Sequence, residues 1–313
     1  VTRSRNAALA LAAALVLVAS GCSGSGSTAA TGGLQGVTVD GEPGTEPTVR
    51  LAPPLKVEEV EKSVVVTGTG APIVVDQLFV LQVTLYDGRT GKRAASTYEK
   101  PNLPVLAKTT DGSLFPALND ALVGLRQGSR LAMVLPSADA FGSEGVPPKG
   151  IRPEDPVVVV ADVIAVPSAS VLRTARGTAV AAAAGAPRVE LVAGDPTRVT
   201  FPAGTSEPDD VVVIPLIEGD GPKVPAHGLA TVDYLGQSWG SRDAFVDTYF
   251  KEPAVVPIGA QLSLPAWDAG LVGVRTGSRV LILDPNPTPT RSQFVDVPGR
   301  GTIAWVVDVL GVS

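Results

Sequence analysis

Few residues in this chain carry groups able to do covalent chemistry. The one histidine, His227, lies in KVPAHGL without an acidic residue or second histidine beside it, which reads as a solvated loop residue and not a general base. The one cysteine is Cys22, so no intramolecular disulfide and no thiolate metal cluster can be built. No G-x-S-x-G elbow is present to expose a nucleophilic serine. Gly68 and Gly70, and again Gly219 and Gly221, form Gly-x-Gly stretches, but no helix start follows either one to cradle phosphate, and hairpin turns are expected there. What remains is a sparse aromatic set, 4% of the chain, in which Tyr234, Phe245, Trp267 and Trp305 fall in the C-terminal third. Such residues can build an apolar site that needs no metal and no cofactor.

The elements that must position them occur twice. GLVGVRTGSRVLILDP from Gly270 is echoed by ALVGLRQGSRLAMVLP from Ala121, IEGDGPK from Ile217 by VTGTGAP from Val66, and IAWVVDVLGV from Ile303 by VVVVADVIAV from Val157. The order is kept at a nearly constant offset, a period far longer than the roughly 20 to 50 residues of solenoid repeats, so each copy can own a core. In the second copy a Pro-led helix puts Trp267, Gly270, Leu271 and Val274 on one face; in the first, Leu118, Ala121, Leu122 and Leu125 match them. Each helix is expected to end at R-x-G-S-R, where Gly128 or Gly277 can take a positive φ, and to lead into a strand. β-branched runs broken by glycine supply the other strands, and the last one, Ile303 to Leu310, alternates as if one face were the more deeply buried. The unit is α+β: a mostly antiparallel sheet packed on one short helix.

Composition bounds the rest. A chain of 313 residues suits two domains plus tails. A net charge of −6, without a Lys/Arg stripe, argues against nucleic acid as a partner. Arg3 and Arg5 precede an apolar run from Ala7 to Val18, then small residues and Cys22, the order of an export signal over residues 1–21. VASGCSGSG resembles a bacterial lipobox, which implies a lipid on Cys22 and an exported monomer anchored at the outer face of the bacterial cytoplasmic membrane. Residues 22–36 read as a tether, 37–167 as the first unit, 168–187 as a linker with a helical turn at Val180 to Ala184, and 188–313 as the second unit.

In the second copy EGDG, VDYLG, AFVDTY, VPIG, LPAWDAGLVGVRTGSR and TIAWVVDV follow one another in an order that resembles the FKBP-type peptidyl-prolyl cis-trans isomerases. The resemblance implies two tandem FKBP-like domains, each a half-barrel sheet wrapped around its helix, with an apolar pocket for a proline ring. It makes Trp267 the pocket floor and Tyr234, Phe245, Leu264 and Trp305 its walls. Asp247 falls one residue after the family's Phe-Asp register, with Val246 in the expected place. The family's aromatic-Gly flap is replaced by DPNPTPTRSQFVDVPGR. The first copy keeps that flap as LPSADAFG, with Phe141 and Gly142, but aligns Leu81 with the tyrosine, Ala94 with the phenylalanine, Leu118 with Trp267 and Val159 with Trp305. Tyr86, Tyr98 and Phe141 are its candidates for a rebuilt aromatic surface.

Two functions follow from the resemblance. One is an isomerase that assists folding of secreted or cell-surface proteins, working on proline-containing segments mainly through the second unit. The other is a catalytically weak FKBP-like module that binds such segments as a chaperone.

Overall fold

The computed structural model describes residues 34–100, 104–259, 263–287, 291–292, 295–298 and 301–313. Residues 1–21, expected to be an export signal, and Cys22 lie outside them. Among the described residues no helix is long and apolar enough to cross a membrane.

The first unit comprises β1 (Val37–Asp40), β2 (Thr48–Leu51), β3 (Glu61–Val66), β4 (Leu78–Asp87), β5 (Arg93–Ser96), β6 (Val105–Lys108), α1 (Pro116–Leu122), β7 (Arg130–Pro136), α2 (Ser137–Phe141) and β8 (Pro156–Ala165). Its sheet runs β3-β7-β8-β4-β5, with β6 also on β4. The second unit repeats this as β9 (Thr178–Ala179), β10 (Arg188–Val192), β11 (Asp195–Thr200), β12 (Val212–Glu218), β13 (Gly228–Ser238), β14 (Val246–Asp247), β15 (Ala254–Ile258), α3 (Pro265–Leu271), β16 (Arg279–Asp284), β17 (Arg291–Ser292), β18 (Val295–Asp296) and β19 (Ile303–Val312). Its sheet runs β9-β12-β16-β19-β13-β14, with β15 also on β13. All these pairings are antiparallel, so the α+β tandem architecture read from the sequence is the one observed.

The helix stripes do as their spacing requires. Leu118, Ala121 and Leu122 of α1, and Trp267, Gly270 and Leu271 of α3, are buried against the concave sheet faces. The ends differ from expectation. Both helices stop at seven residues, at Leu122 and Leu271, and the first positive φ falls at Gly124 and Gly273 (φ 84° each), not at Gly128 and Gly277. Gly128 and Gly277 also have positive φ, but they shape the turn that leads into β7 and β16.

The Gly-x-Gly stretches are not hairpin turns. Gly68 and Gly219 abut those same turns: a Cβ on Gly68 would lie 2.2 Å from the Gln127 carbonyl oxygen, and one on Gly219 2.3 Å from that of Thr276. The amide of Gly68 donates to Ser129 Oγ and that of Gly219 to Ser278 Oγ, each at 2.9 Å. Only glycine permits that approach.

Two further differences concern layers and linker. The last strand is buried on both faces, because each sheet carries a third layer on its back: hairpin β1-β2 covers Ala132, Val134, Val158 and Val160, while β10-β11 places Val199 against Leu281, Leu283, Ala304 and Val306. The segment between the units forms no helical turn. It adds β9 to the edge of the second sheet, pairing Ala179 with Ile217 and Thr178 with Glu218, and Gly177 lets the backbones meet, since a Cβ there would lie 2.0 Å from the Glu218 carbonyl oxygen.

Candidate functional site

In the second unit, β13, β14, β19 and the start of α3 bring four aromatic rings together. Tyr234 meets Trp267 edge to face at 5.0 Å between centroids, Trp267 meets Trp305 at 5.5 Å and 89°, and Phe245 meets Trp305 at 5.5 Å and 82°. Leu264, which caps α3, joins the cluster, its carbonyl accepting from the amides of Trp267 and Asp268. Gly236 lies opposite Trp305 on the neighbouring strand, and a Cβ there would come within 2.4 Å of the Trp305 ring, so that glycine makes room for the indole. The cluster is closed: Trp305 is 0% exposed, Trp267 and Leu264 1%, and Tyr234 3%. Phe245, at 36%, is the aromatic member that meets solvent.

Asp247 does not join them. Strand alternation turns Val246 toward the core, while the Asp247 carboxylate accepts from the amide of Tyr249. Asp233, one residue before Tyr234, lies on the opposite face of β13 from the cluster. It is buried opposite Asp308, and its pKa is raised to about 6, first by desolvation, then by repulsion from Asp308, Asp195 and Asp247, against a hydrogen bond from Thr248.

The first unit presents the corresponding place as an open cavity of about 970 Å³. Leu118 and Val83 lie at its base. Leu85, Ala95 and Val105 line the sheet side, and Phe115 and Phe141 form an edge-to-face pair at 6.0 Å on the helix and flap side. Around the rim stand Ser96, Thr97, Thr109, Thr110 and Ser113, with Asp120 the charged group among the described lining residues. The flap is held by α2, whose C-cap Gly142 has φ 71°, and by paired backbone hydrogen bonds between Val146 and Ile151.

Strand register corrects one alignment. The amide of Val83 donates to Thr97 Oγ1 at 2.8 Å as that of Tyr234 donates to Thr248 Oγ1 at 2.8 Å, and Val83 faces Ala161 as Tyr234 faces Val307. Val83 therefore holds the tyrosine's place. Leu81 corresponds to Val232, two residues earlier on the same face, where alternation alone cannot tell the positions apart.

No family model matches the chain. A curated relative, the FK506-binding protein of Streptomyces anulatus, is 30% identical over 89 residues, which span 28% of this chain and 71% of that protein. The chain belongs to the FKBP family. Among solved structures it is similar to the three FKBP domains of wheat FKBP73, at 14% identity and a TM-score of 0.34, over 81% of this chain and 94% of that one. It is also similar to FkpA of Escherichia coli, at 24% identity and a TM-score of 0.30, over 34% of this chain and 46% of FkpA.

Across the two FKBP units, the structure brings together Tyr234, Phe245, Leu264, Trp267 and Trp305 in one and places Phe141 on the cavity of the other. Tyr86 packs under the β1-β2 hairpin, and the Tyr98 hydroxyl donates to Asp162, so neither lines the cavity. Phe115 was missed, although its place before Pro116 mirrors that of Leu264 before Pro265. Also missed was a buried clip. Arg130 and Asp162, 0% and 1% exposed, form a two-pronged ion pair at 2.6 and 2.7 Å, as do Arg279 and Asp308. The last arginine of each R-x-G-S-R and the aspartate of each final strand were legible as repeated residues, but their meeting required the fold.

Proposed function

We propose that this FKBP protein binds proline-containing segments and speeds their cis/trans isomerisation, exported and held by a lipid on Cys22 at the outer face of the bacterial cytoplasmic membrane, where it assists folding of secreted or cell-surface proteins. The observation that supports this reading best is the apolar cavity of the first unit, roofed by Phe141 and Phe115 and floored by Leu118. Isomerisation needs no nucleophile, because the barrier of about 18–20 kcal/mol is the loss of amide resonance on twisting. The twisted amide carries less charge on its carbonyl, so a dry apolar wall favours it over the planar ground state, and each ~1.4 kcal/mol of preference is a factor of ten in rate.

In the second unit Tyr234, Phe245, Leu264, Trp267 and Trp305 are the corresponding site, entered past Phe245, and Asp247 stands outside it. A weakly catalytic binding module is the second reading for that unit, favoured by the closure of Trp267 and Trp305.

Exchange NMR of X-Pro peptides with the full chain tests the assignment. Acceleration should fall about tenfold in Phe141→Ala, the loss of one ring from the wall, and little in Phe245→Ala. The reverse pattern would move catalysis to the second unit, and no acceleration by the wild type would leave only the binding reading. Membrane fractionation that persists in Cys22→Ser would rule out the lipid anchor.

A further inference from the structure

The duplication marks one edge of the first sheet. In the second unit the segment before β10 runs along the sheet: the Leu172 amide donates to the Leu310 carbonyl, the Arg176 amide to the Gly277 carbonyl, and β9 then pairs with Ile217 and Glu218. The matched places in the first unit are Ile164, Gly128, Val66 and Thr67. Among the described residues no strand pairs with the outer edge of β3, and its Val64 is 37% exposed. Beside Gly128 lies a cavity of about 510 Å³, lined also by Thr69, Gly70, Gln127, Ile164 and, from the β1-β2 loop, Gly44. A Cβ on Gly277 would stand 2.6 Å from the Arg176 carbonyl oxygen, whereas one on Gly128 would meet the Gly68 Cα at 3.6 Å, an ordinary contact.

We propose that the chain's own residues 23–29, outside the described ones, fill this groove and add a strand to β3, as the linker does on the second sheet. The shift in numbering that takes Val66 to Ile217 and Gly68 to Gly219 also takes Gly26 to Gly177, Ser27 to Thr178 and Thr28 to Ala179. A glycine thus falls at the place where a Cβ would lie 2.0 Å from the Glu218 carbonyl oxygen. Eight residues, 180–187, separate β9 from β10, and eight, 29–36, separate Thr28 from β1. The Gly44 amide donates to Asp162 where the Ala175 amide donates to Asp308, so the β1-β2 loop takes up part of the room and the occupant must be small. Residues 23–26 are Ser-Gly-Ser-Gly. In this register the Ser25 amide donates to the Gly128 carbonyl, Ser27 accepts from the Thr67 amide, and the Ala29 amide donates to the Val65 carbonyl. On the lipid reading above, Cys22 then stands three residues from the groove, and the anchor holds this edge of the first unit within about 10 Å of the membrane surface.

The test is disulfide trapping in the chain from residue 22 onward with Cys22→Ser, which takes the lipid out of the experiment. Thr28→Cys with Val66→Cys, a directly opposed pair, should bridge within one chain at least about tenfold faster than Thr28→Cys with Lys92→Cys at the other edge of the sheet. Equal rates would overturn the inference, and bridges formed only between chains would give the edge to a second copy instead. Hydrogen exchange needs no cysteine pair. The Thr67 amide should be protected, and Gly26→Val, which drives a side chain into the Thr67 carbonyl, should lower that protection about tenfold or more while near-UV circular dichroism shows the unit folded. An unprotected Thr67 amide, or protection unchanged in the folded variant, would equally overturn it. Membrane fractionation of Cys22→Ser reports on the lipid alone, so the added strand and the anchor fail separately.

Discussion

Asp233 and Gln82 hold the same place in the two units, opposite Asp308 and Asp162, and both are buried. The difference has a thermodynamic sign. The folded-state pKa of Asp233, raised to about 6 by burial and by neighbouring carboxylates, lies above its unfolded value, so the folded unit favours the protonated acid. That contribution is fully present below the unfolded value near 4 and is lost as pH rises through about 6. At neutral pH the second unit therefore carries a buried charge that Gln82 spares the first. Asp233→Gln should raise the stability of the second unit on the order of 2 kcal/mol at pH 7.5 and have little effect at pH 4. Thermal melts of wild type and variant at the two pH values check it, and a benefit equal at both would refute the assignment.

At the scale of elements, each back hairpin is tied to its sheet by the buried arginine. Arg130 donates to the backbone carbonyls of Asp40, Gly41, Glu42 and Thr45 as well as to Asp162, so one side chain fixes the loop between β1 and β2. Asp162 also accepts from the Tyr98 hydroxyl and the Gly44 amide. Removing its charge strands a guanidinium in the interior, which costs about 3–5 kcal/mol for buried pairs. Asp162→Asn should destabilise the first unit by roughly that amount in urea denaturation. Amides of the β1-β2 hairpin should lose hydrogen-exchange protection in step with the sheet, and a hairpin that stays protected would show that other contacts hold it. The helix ends belong to this scale too. Seven-residue helices stop where Val123 and Val272 leave helical geometry, before the glycines that the repeated motif brings to notice.

For the whole molecule, the connection between units is part of the second sheet. Leu172 donates its amide to Leu310, Arg176 to Gly277 and Val180 to Leu216, and a small apolar cluster of Val80, Ala165 and Leu229 joins the two units. Gly177→Val would drive a side chain into the Glu218 carbonyl and peel β9 from β12. Limited proteolysis should then cut between residues 168 and 187 faster than in wild type, and unchanged cleavage would mean the strand is not held by that contact.

The amino-acid sequence by itself determined the duplication, the helix stripes and the α+β class, because each is written in residue types and their order along the chain, without knowing which distant side chains meet. Tertiary structure decided what depends on distant residues meeting. It set Val83, not Leu81, opposite Ala161, closed the R-x-G-S-R arginine onto the final-strand aspartate, and covered the backs of both sheets. It also decided where the open cavity of the first unit lies. The loss of aromatic residues from the first copy reads, residue by residue, as an eroded pocket. A cavity, however, is the volume left after side chains from β4, β5, β6, α1 and the flap have packed, and smaller side chains on an unchanged frame leave more of it.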